Sequence, residues 1–120
     1  MSLFGNALMR LEKALDVRLV KGNVLAGNLA NVDTPGYLAR DVDFDDAMAS
    51  AYQPGSLSTG EQEELWATEA DGFGSGFDQN SVDLDRTMAS LSANATQYAA
   101  ATRAAGKKLA ILKYAAGDGT

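Results

Sequence analysis

Asn28-Leu29-Ala30-Asn31-Val32-Asp33-Thr34-Pro35-Gly36-Tyr37 is the stretch at which a long amphipathic N-terminal segment has to stop and turn. Thr34 precedes proline, so steric clash pushes it out of the helical region. Pro35 has no amide proton to donate, and Gly36 takes positive φ freely. Pro-Gly therefore reads as the centre of a type II turn. Asn31 suits the C-cap, because asparagine tolerates the left-handed conformation that ends many helices. The physics predicts a helix stop followed by a rigid turn.

Upstream, Ser2 is a fair N-cap, and Leu3 to Asn31 reads as one helix. Its apolar positions Leu8, Leu11, Leu15, Leu25 and Leu29 follow a heptad seam, with Arg18 and Gly22 in the two intermediate places. Gly22, Ala26 and Ala30 form a second, small-residue stripe that would let another backbone come close. Gly22 and Gly27 each cost roughly 1 kcal/mol against alanine in a helix.

Downstream, Asp41, Asp43 and Asp45 imitate the start of a calcium loop. The sixth position is Asp46 where glycine is needed, and the twelfth is Tyr52 where a bidentate glutamate is needed, so that reading fails. Asp43 instead reads as the N-cap of a short helix with Phe44, Ala47, Met48 and Ala51 on one face. From Gln53 to Gln79 the composition is that of turns and linkers, and a loop is expected. Gly72-Phe73-Gly74-Ser75-Gly76 lacks the strand, helix and lysine of a phosphate loop. Leu65-Trp66-Ala67 is its one apolar island.

Asn80 or Ser81 is expected to cap a second long helix, with Asp83 and Asp85 in its first turn. Leu84, Met88, Leu91, Ala95, Tyr98, Thr102, Ala105, Leu109, Leu112 and Ala116 step by four and three without a break. That is a heptad seam over a helix of roughly 50 Å at 1.5 Å per residue. Gly117 stops it.

At 120 residues the chain is at most one domain by size. It has no cysteine and no histidine, which excludes disulfide frameworks, thiolate nucleophiles, Ser-His triads and Cys/His zinc sites. Neither a catalytic constellation nor a cofactor or metal site is expected. The net charge of −6 is unevenly placed. Residues 41–85 carry 12 acidic and no basic side chains, while residues 1–40 hold five basic against three acidic and residues 86–120 five against one. Mildly basic ends flanking an acidic middle suggest that the ends contact something the middle does not. The basic residues are too few and too spread for a nucleic-acid surface. No run of 18 apolar residues exists, so direct membrane insertion is not expected. The charges at Arg10, Glu12, Lys13, Asp16, Arg18 and Lys21 also interrupt any cleavable secretory signal.

The decapeptide Asn28 to Tyr37 resembles the N-x-A-N-x-x-T-P-G-Y box near the N-terminus of the bacterial flagellar axial proteins. The following Leu38-Ala39-Arg40-Asp41-Val42-Asp43-Phe44 looks most like the proximal rod proteins of that family. Asn80-Ser81-Val82-Asp83-Leu84-Asp85, then Met88, Asn94 and Tyr98, make a second match. Thr87 stands where the family usually has glutamate.

The resemblance implies an all-α fold, with two long terminal helices packed as an antiparallel coiled coil and joined by a turn, a short helix and an irregular, loop-rich middle. Residues 1–40 and 80–120 would form the coiled-coil domain and 41–79 the acidic middle segment. The expected function is a structural, self-assembling subunit of the basal-body rod. The expected interface is Leu8, Leu11, Leu15, Leu25 and Leu29 with Leu84, Met88, Leu91, Tyr98, Leu109 and Leu112. Asn28, Ala30, Asn31, Thr34, Pro35, Gly36 and Tyr37 would be the motif turn. Implied partners are other flagellar rod subunits, the rod–ring adaptor and export gate proteins. Implied export is by the flagellar type III route without a cleaved signal. A small helical adaptor or chaperone binding a partner helix explains the seams equally well, but not the Pro-Gly-Tyr box. Neither helix alone carries enough large apolar side chains to offset roughly 1–2 kcal/mol of backbone entropy per residue, so ordering is expected to be coupled to assembly.

Overall fold

A computed structural model describes residues 3–51, 58–70 and 82–117. The elements run α1 (Leu3–Ala30), β1 (Arg40–Val42), α2 (Phe44–Ala51), α3 (Thr59–Trp66), β2 (Ala67–Glu69) and α4 (Leu84–Ala116). Among the described residues, four helices and one short two-stranded ribbon make a mostly helical fold. The expected cap at Ser2 lies outside the described residues.

α1 and α4 make the most extensive contact between elements. Three pairings fix their direction. Lys108 lies over the ring of Phe4, Asn94 reaches the main chain of Arg18, and Leu25 shares a cleft with Thr87 and Ser90. Early residues of α1 meet late residues of α4, so the pair is antiparallel.

The contact face of α4 is not the one the apolar seam marks. Thr87 and Asn94 are its buried residues, and Ser90, Leu91, Ala101, Ala104, Ala105 and Lys108 are half-buried. Most of these fall on the row 87, 90, 94, 101, 104, 108, one residue before the predicted seam and so about 100° around the helix. Along the seam itself, Met88 is 55% exposed and Leu109 53%. Leu84, Ala95, Tyr98, Thr102, Leu112 and Ala116 are exposed as well. Small and polar side chains let the two helices approach closely, and the larger ones turn outward.

On α1 the row beginning at Phe4 and running through Leu8, Leu11, Leu15, Arg18, Gly22, Leu25 and Leu29 is the one the three pairings touch. A neighbouring row, Val17, Val20, Val24 and Asn28, is buried on another side. Val17, Val20 and Val24 form a core with Val42 of β1, Ala47 of α2, and Trp66 and Ala67 at the α3–β2 junction. Phe44, Met48 and Ala51 pack against it. A fully buried valine contributes roughly 1.5–3 kcal/mol, so this small core is substantial for a 120-residue chain.

The loop expected over 53–79 is therefore corrected for its described part. Residues 58–70 hold α3 and β2, and they supply the side chains that close the core. Ser58 starts α3 through a capping box: its hydroxyl accepts from the Glu61 amide, and its own N–H donates to the Glu61 carboxylate at 2.8 Å. β2 pairs antiparallel with β1 in the register Arg40–Glu69, Asp41–Thr68 and Val42–Ala67. The Gly72–Gly76 stretch lies outside the described residues, as do Asn80 and Ser81. Asp83 is the N-cap of α4, its carboxylate accepting from the Arg86 amide at 2.9 Å. Asp43 caps α2 as expected, accepting from the Asp46 amide at 2.9 Å.

Candidate functional site

Two constellations stand out: the motif turn after α1, and the outward seam of α4.

In the turn, the Tyr37 amide donates to the Thr34 carbonyl at 3.2 Å, and Gly36 has φ +74°. Proline at the first central position and positive φ at the second define a type II turn. Asn31 ends α1 through its side chain, whose amide donates to the Gly27 carbonyl at 2.8 Å. The Thr34 hydroxyl then donates to the Asn31 side-chain oxygen at 3.0 Å. Asn28 is buried and holds the returning chain by both ends of its amide. Its Nδ2 donates to the Arg40 carbonyl at 2.6 Å, and its Oδ1 accepts from the Arg40 amide at 3.0 Å. The Tyr37 hydroxyl reaches the same Oδ1 at 3.5 Å. Asn28 thus acts as one rung of a strand, presented from a helix, and starts β1.

These contacts separate the members of the box by task. Asn28, Asn31, Thr34, Gly36 and Tyr37 build the turn, and Pro35 presets it. Ala30 is exposed on the outer face of α1 and makes no such contact. Lys21 reinforces the clamp, donating to the Val42 carbonyl at 3.1 Å and lying 3.4 Å from the Asp41 carboxylate.

Between the helices, Asn94 Nδ2 donates to the Arg18 carbonyl at 2.8 Å. Gly22 makes this possible, since a Cβ there would stand 3.3 Å from the same nitrogen. The Arg18 side chain reaches to α2. Its guanidinium sits 3.9 Å over the ring of Phe44, and burial holds its pKa below the usual value against the opposing pull of Asp45. The charged residue that interrupts the sequence seam is thereby used to fasten α2. Thr87, where a glutamate was the family expectation, is buried beside a small cleft shared by Leu25, Asn28, Arg40 and Asp83.

Of the expected interface residues, Leu25 is buried, and Leu8, Leu11, Leu15, Leu29 and Leu91 are half-buried. Leu84, Met88, Tyr98, Leu109 and Leu112 are exposed, as are Ile111 and Tyr114, which the seam reading missed because they lie off its row. Asn94 was read as part of a motif and not as a contact; the glycine opposite it on α1 was the available signal. Among the described residues no helix is long and apolar enough to cross a membrane, and no acidic cluster has the arrangement of a metal site.

No family model matches the chain. Curated relatives do. The flagellar basal body rod protein FlgB of Bacillus subtilis (strain 168) is 31% identical over 125 aligned positions, covering 94% of this chain and 95% of that protein. FlgB of Aeromonas hydrophila is 32% identical over 98, covering 72% and 74%. FlgB of Escherichia coli (strain K12) is 45% identical over 53, which is 44% of this chain and 38% of that protein, so this match spans well under half the length of the relative.

Proposed function

Because the chain belongs to the family of flagellar basal body rod proteins FlgB, we propose that it is a structural subunit of the proximal rod that self-assembles through its terminal helices. The observation that carries this reading is the pair of rows on α4. One row, small and polar, packs on α1. The next, one residue further along, presents Leu84, Met88, Tyr98, Leu109 and Leu112 to the surroundings. Exposed apolar side chains repeating at seam spacing along a helix of 33 residues are suited to a neighbouring helix. The partners are other rod subunits, the rod–ring adaptor and export gate proteins. The chain reaches the rod by the flagellar export route. A small adaptor binding one partner helix is not favoured, since the full-length relatives are rod proteins.

Incorporation into isolated basal bodies tests it. Leu109→Asp and Met88→Asp should abolish incorporation, because each would bury an unpaired charge between subunits. Ala93→Asp, on neither row, should be tolerated. Ala104 is unsuitable as a control, since it lies on the row that faces α1. Equal incorporation of all three variants would defeat the proposal.

A further inference from the structure

Resting on that reading, we infer that a second strip of α4, Arg103, Lys107, Ile111 and Tyr114, docks on the outer face of α3 in a second copy of this chain, where Glu61, Glu64 and Leu65 receive it. The strip steps by four, four and three residues, so it lies on one side of the helix. That side is not the seam, since Lys107 and Leu109 are about 200° apart around the axis. All four side chains are exposed, Ile111 by 60% and Tyr114 by 73%. The seam positions carry no charge, whereas this strip joins two cations to two large apolar groups.

Charge selects the occupant. Residues 86–117 hold five basic and no acidic side chains, and residues 41–69 hold eight acidic and no basic. Among the described residues, Lys21 pairs with Asp41 and Arg40 with Glu63, while Arg103, Lys107, Glu61 and Glu64 hold no ion pair. The two sets cannot meet within one chain. Lys108 lies over Phe4, near the start of α1. α3 is held at the other end, by Trp66 against Val17, Val20 and Val24 and by Glu63 beside Arg40. Phe4 to Val17 alone is about 20 Å of helix. Complementary surfaces kept apart in one copy are satisfied between two. Of the acidic elements, α3 carries the exposed leucine, Leu65, beside its carboxylates, whereas Asp45 and Asp46 of α2 share their exposed face with Ala49.

The Glu61 carboxylate is set in advance. Both bonds from Ser58, its N–H at 2.8 Å and its hydroxyl at 2.7 Å, go to Oε2. They fix the side chain and leave Oε1 without a partner among the described residues. A cation arriving there orders one long side chain instead of two, which lowers the entropy cost of the pair. Lys107 and Ile111 are four residues apart on α4, as Glu61 and Leu65 are on α3. A parallel register therefore sets Lys107 against Glu61 and Ile111 against Leu65 together, with the charges flanking the apolar pair. Strip and face are different surfaces, so the contact is heterologous and passes from copy to copy.

The absence of cysteine gives a direct test. In basal bodies from cells carrying Leu65→Cys and Ile111→Cys on one chain, mild oxidation should yield dimers and longer products. Each single variant, expressed alone, should stay monomeric. Dimers from either alone, or no cross-link in particles that contain the double variant, would overturn the inference and leave the rod-subunit reading standing. Absence of the unmodified chain from basal bodies would overturn both. Where the cysteine variants fail to enter the particle, charge variants decide. Glu61→Gln keeps a capping side chain and should lower incorporation up to about fivefold, the worth of one exposed ion pair. Lys107→Glu should lower it as well, and in that background Glu61→Gln should raise it by removing a repulsion. A fall in both backgrounds would mark a purely structural role for Glu61 and overturn the inference, as would wild-type incorporation of Lys107→Glu.

Discussion

The side-chain amide nitrogen of Asn94 lies 2.8 Å from the main-chain oxygen of Arg18, across a gap that Gly22 leaves open. One polar side chain meeting one glycine fixes the register of two long helices, because a shift of either would set the amide against a side chain. Asn94→Ala should destabilise the chain by about 1 kcal/mol, the net worth of a hydrogen bond. Gly22→Val should cost more, since its branched side chain occupies the space of the amide. A double-mutant cycle in urea unfolding would measure the coupling, and additive effects would refute the pairing.

Asn28 holds both main-chain groups of Arg40. Asn28→Asp puts a carboxylate against the Arg40 carbonyl and should cost about 2 kcal/mol or more, with one buried acceptor opposed and one donor lost. Amide exchange at Arg40–Val42 should quicken before that of α1.

Gly36 has φ +74°, and among the described residues nothing lies within 4 Å of the place a Cβ would occupy. The penalty of a side chain there is therefore in the backbone alone. Gly36→Val should cost about 1 kcal/mol or more, and Gly36→Asn clearly less. Thermal unfolding and swimming assays would rank the two, and equal behaviour would contradict the type II turn.

Trp66 closes the core, yet its indole N–H is buried with no acceptor among the described residues. Trp66→Phe should be nearly neutral, because it keeps most of the area and removes an unpaired donor. Trp66→Ala should cost about 3–5 kcal/mol. In hydrogen exchange of the isolated subunit, residues 17–28 should be protected well beyond 95–117. Uniform exchange over both segments would count against the valine core.

The Glu61 carboxylate accepts from the Ser58 hydroxyl at 2.7 Å and from its amide at 2.8 Å, which holds its pKa below the ordinary carboxylate value. A depressed carboxylate stabilises above its unfolded pKa and loses that contribution as pH falls through its folded one. Acid should break this capping contact only below the usual carboxylate range, and a side-chain NMR titration of Glu61 should show that low midpoint. Ser58→Ala removes the hydroxyl donor but keeps the amide, so it should raise that midpoint part of the way towards the ordinary range.

Much of this was legible in the residues. The Pro-Gly turn, the Asp43 cap and the apolar face of α2 follow from local chemistry, and local chemistry decides them. The inward face of α4 was not legible. A heptad row shows where the large apolar side chains are, whereas the face that meets α1 is chosen by what fits: Thr87, Ser90, Asn94 and Ala101 are small enough. The ribbon escaped notice because three residues per strand are too few to show alternation. Ser58 and Glu61 had the spacing of a capping box, but the surrounding serine and glycine read as a linker. With α3 and β2 unseen, the valine row of α1 had nothing to be buried against, and the expectation that ordering waits for assembly had more support than it has now.

Among the described elements, α1 makes the most extensive contact with α4 and also packs on β1, α2 and α3. Force applied along the seam of α4 is therefore passed to the ribbon-and-helix module mainly through the body of α1. Its two buried rows work as the two flanges of one beam. A weakness such as Gly22 or Gly27 sits in that shared member, where bending would be felt on both sides at once. Stiffening α1 would couple the outer module more tightly to the helical axis than any change confined to the module itself.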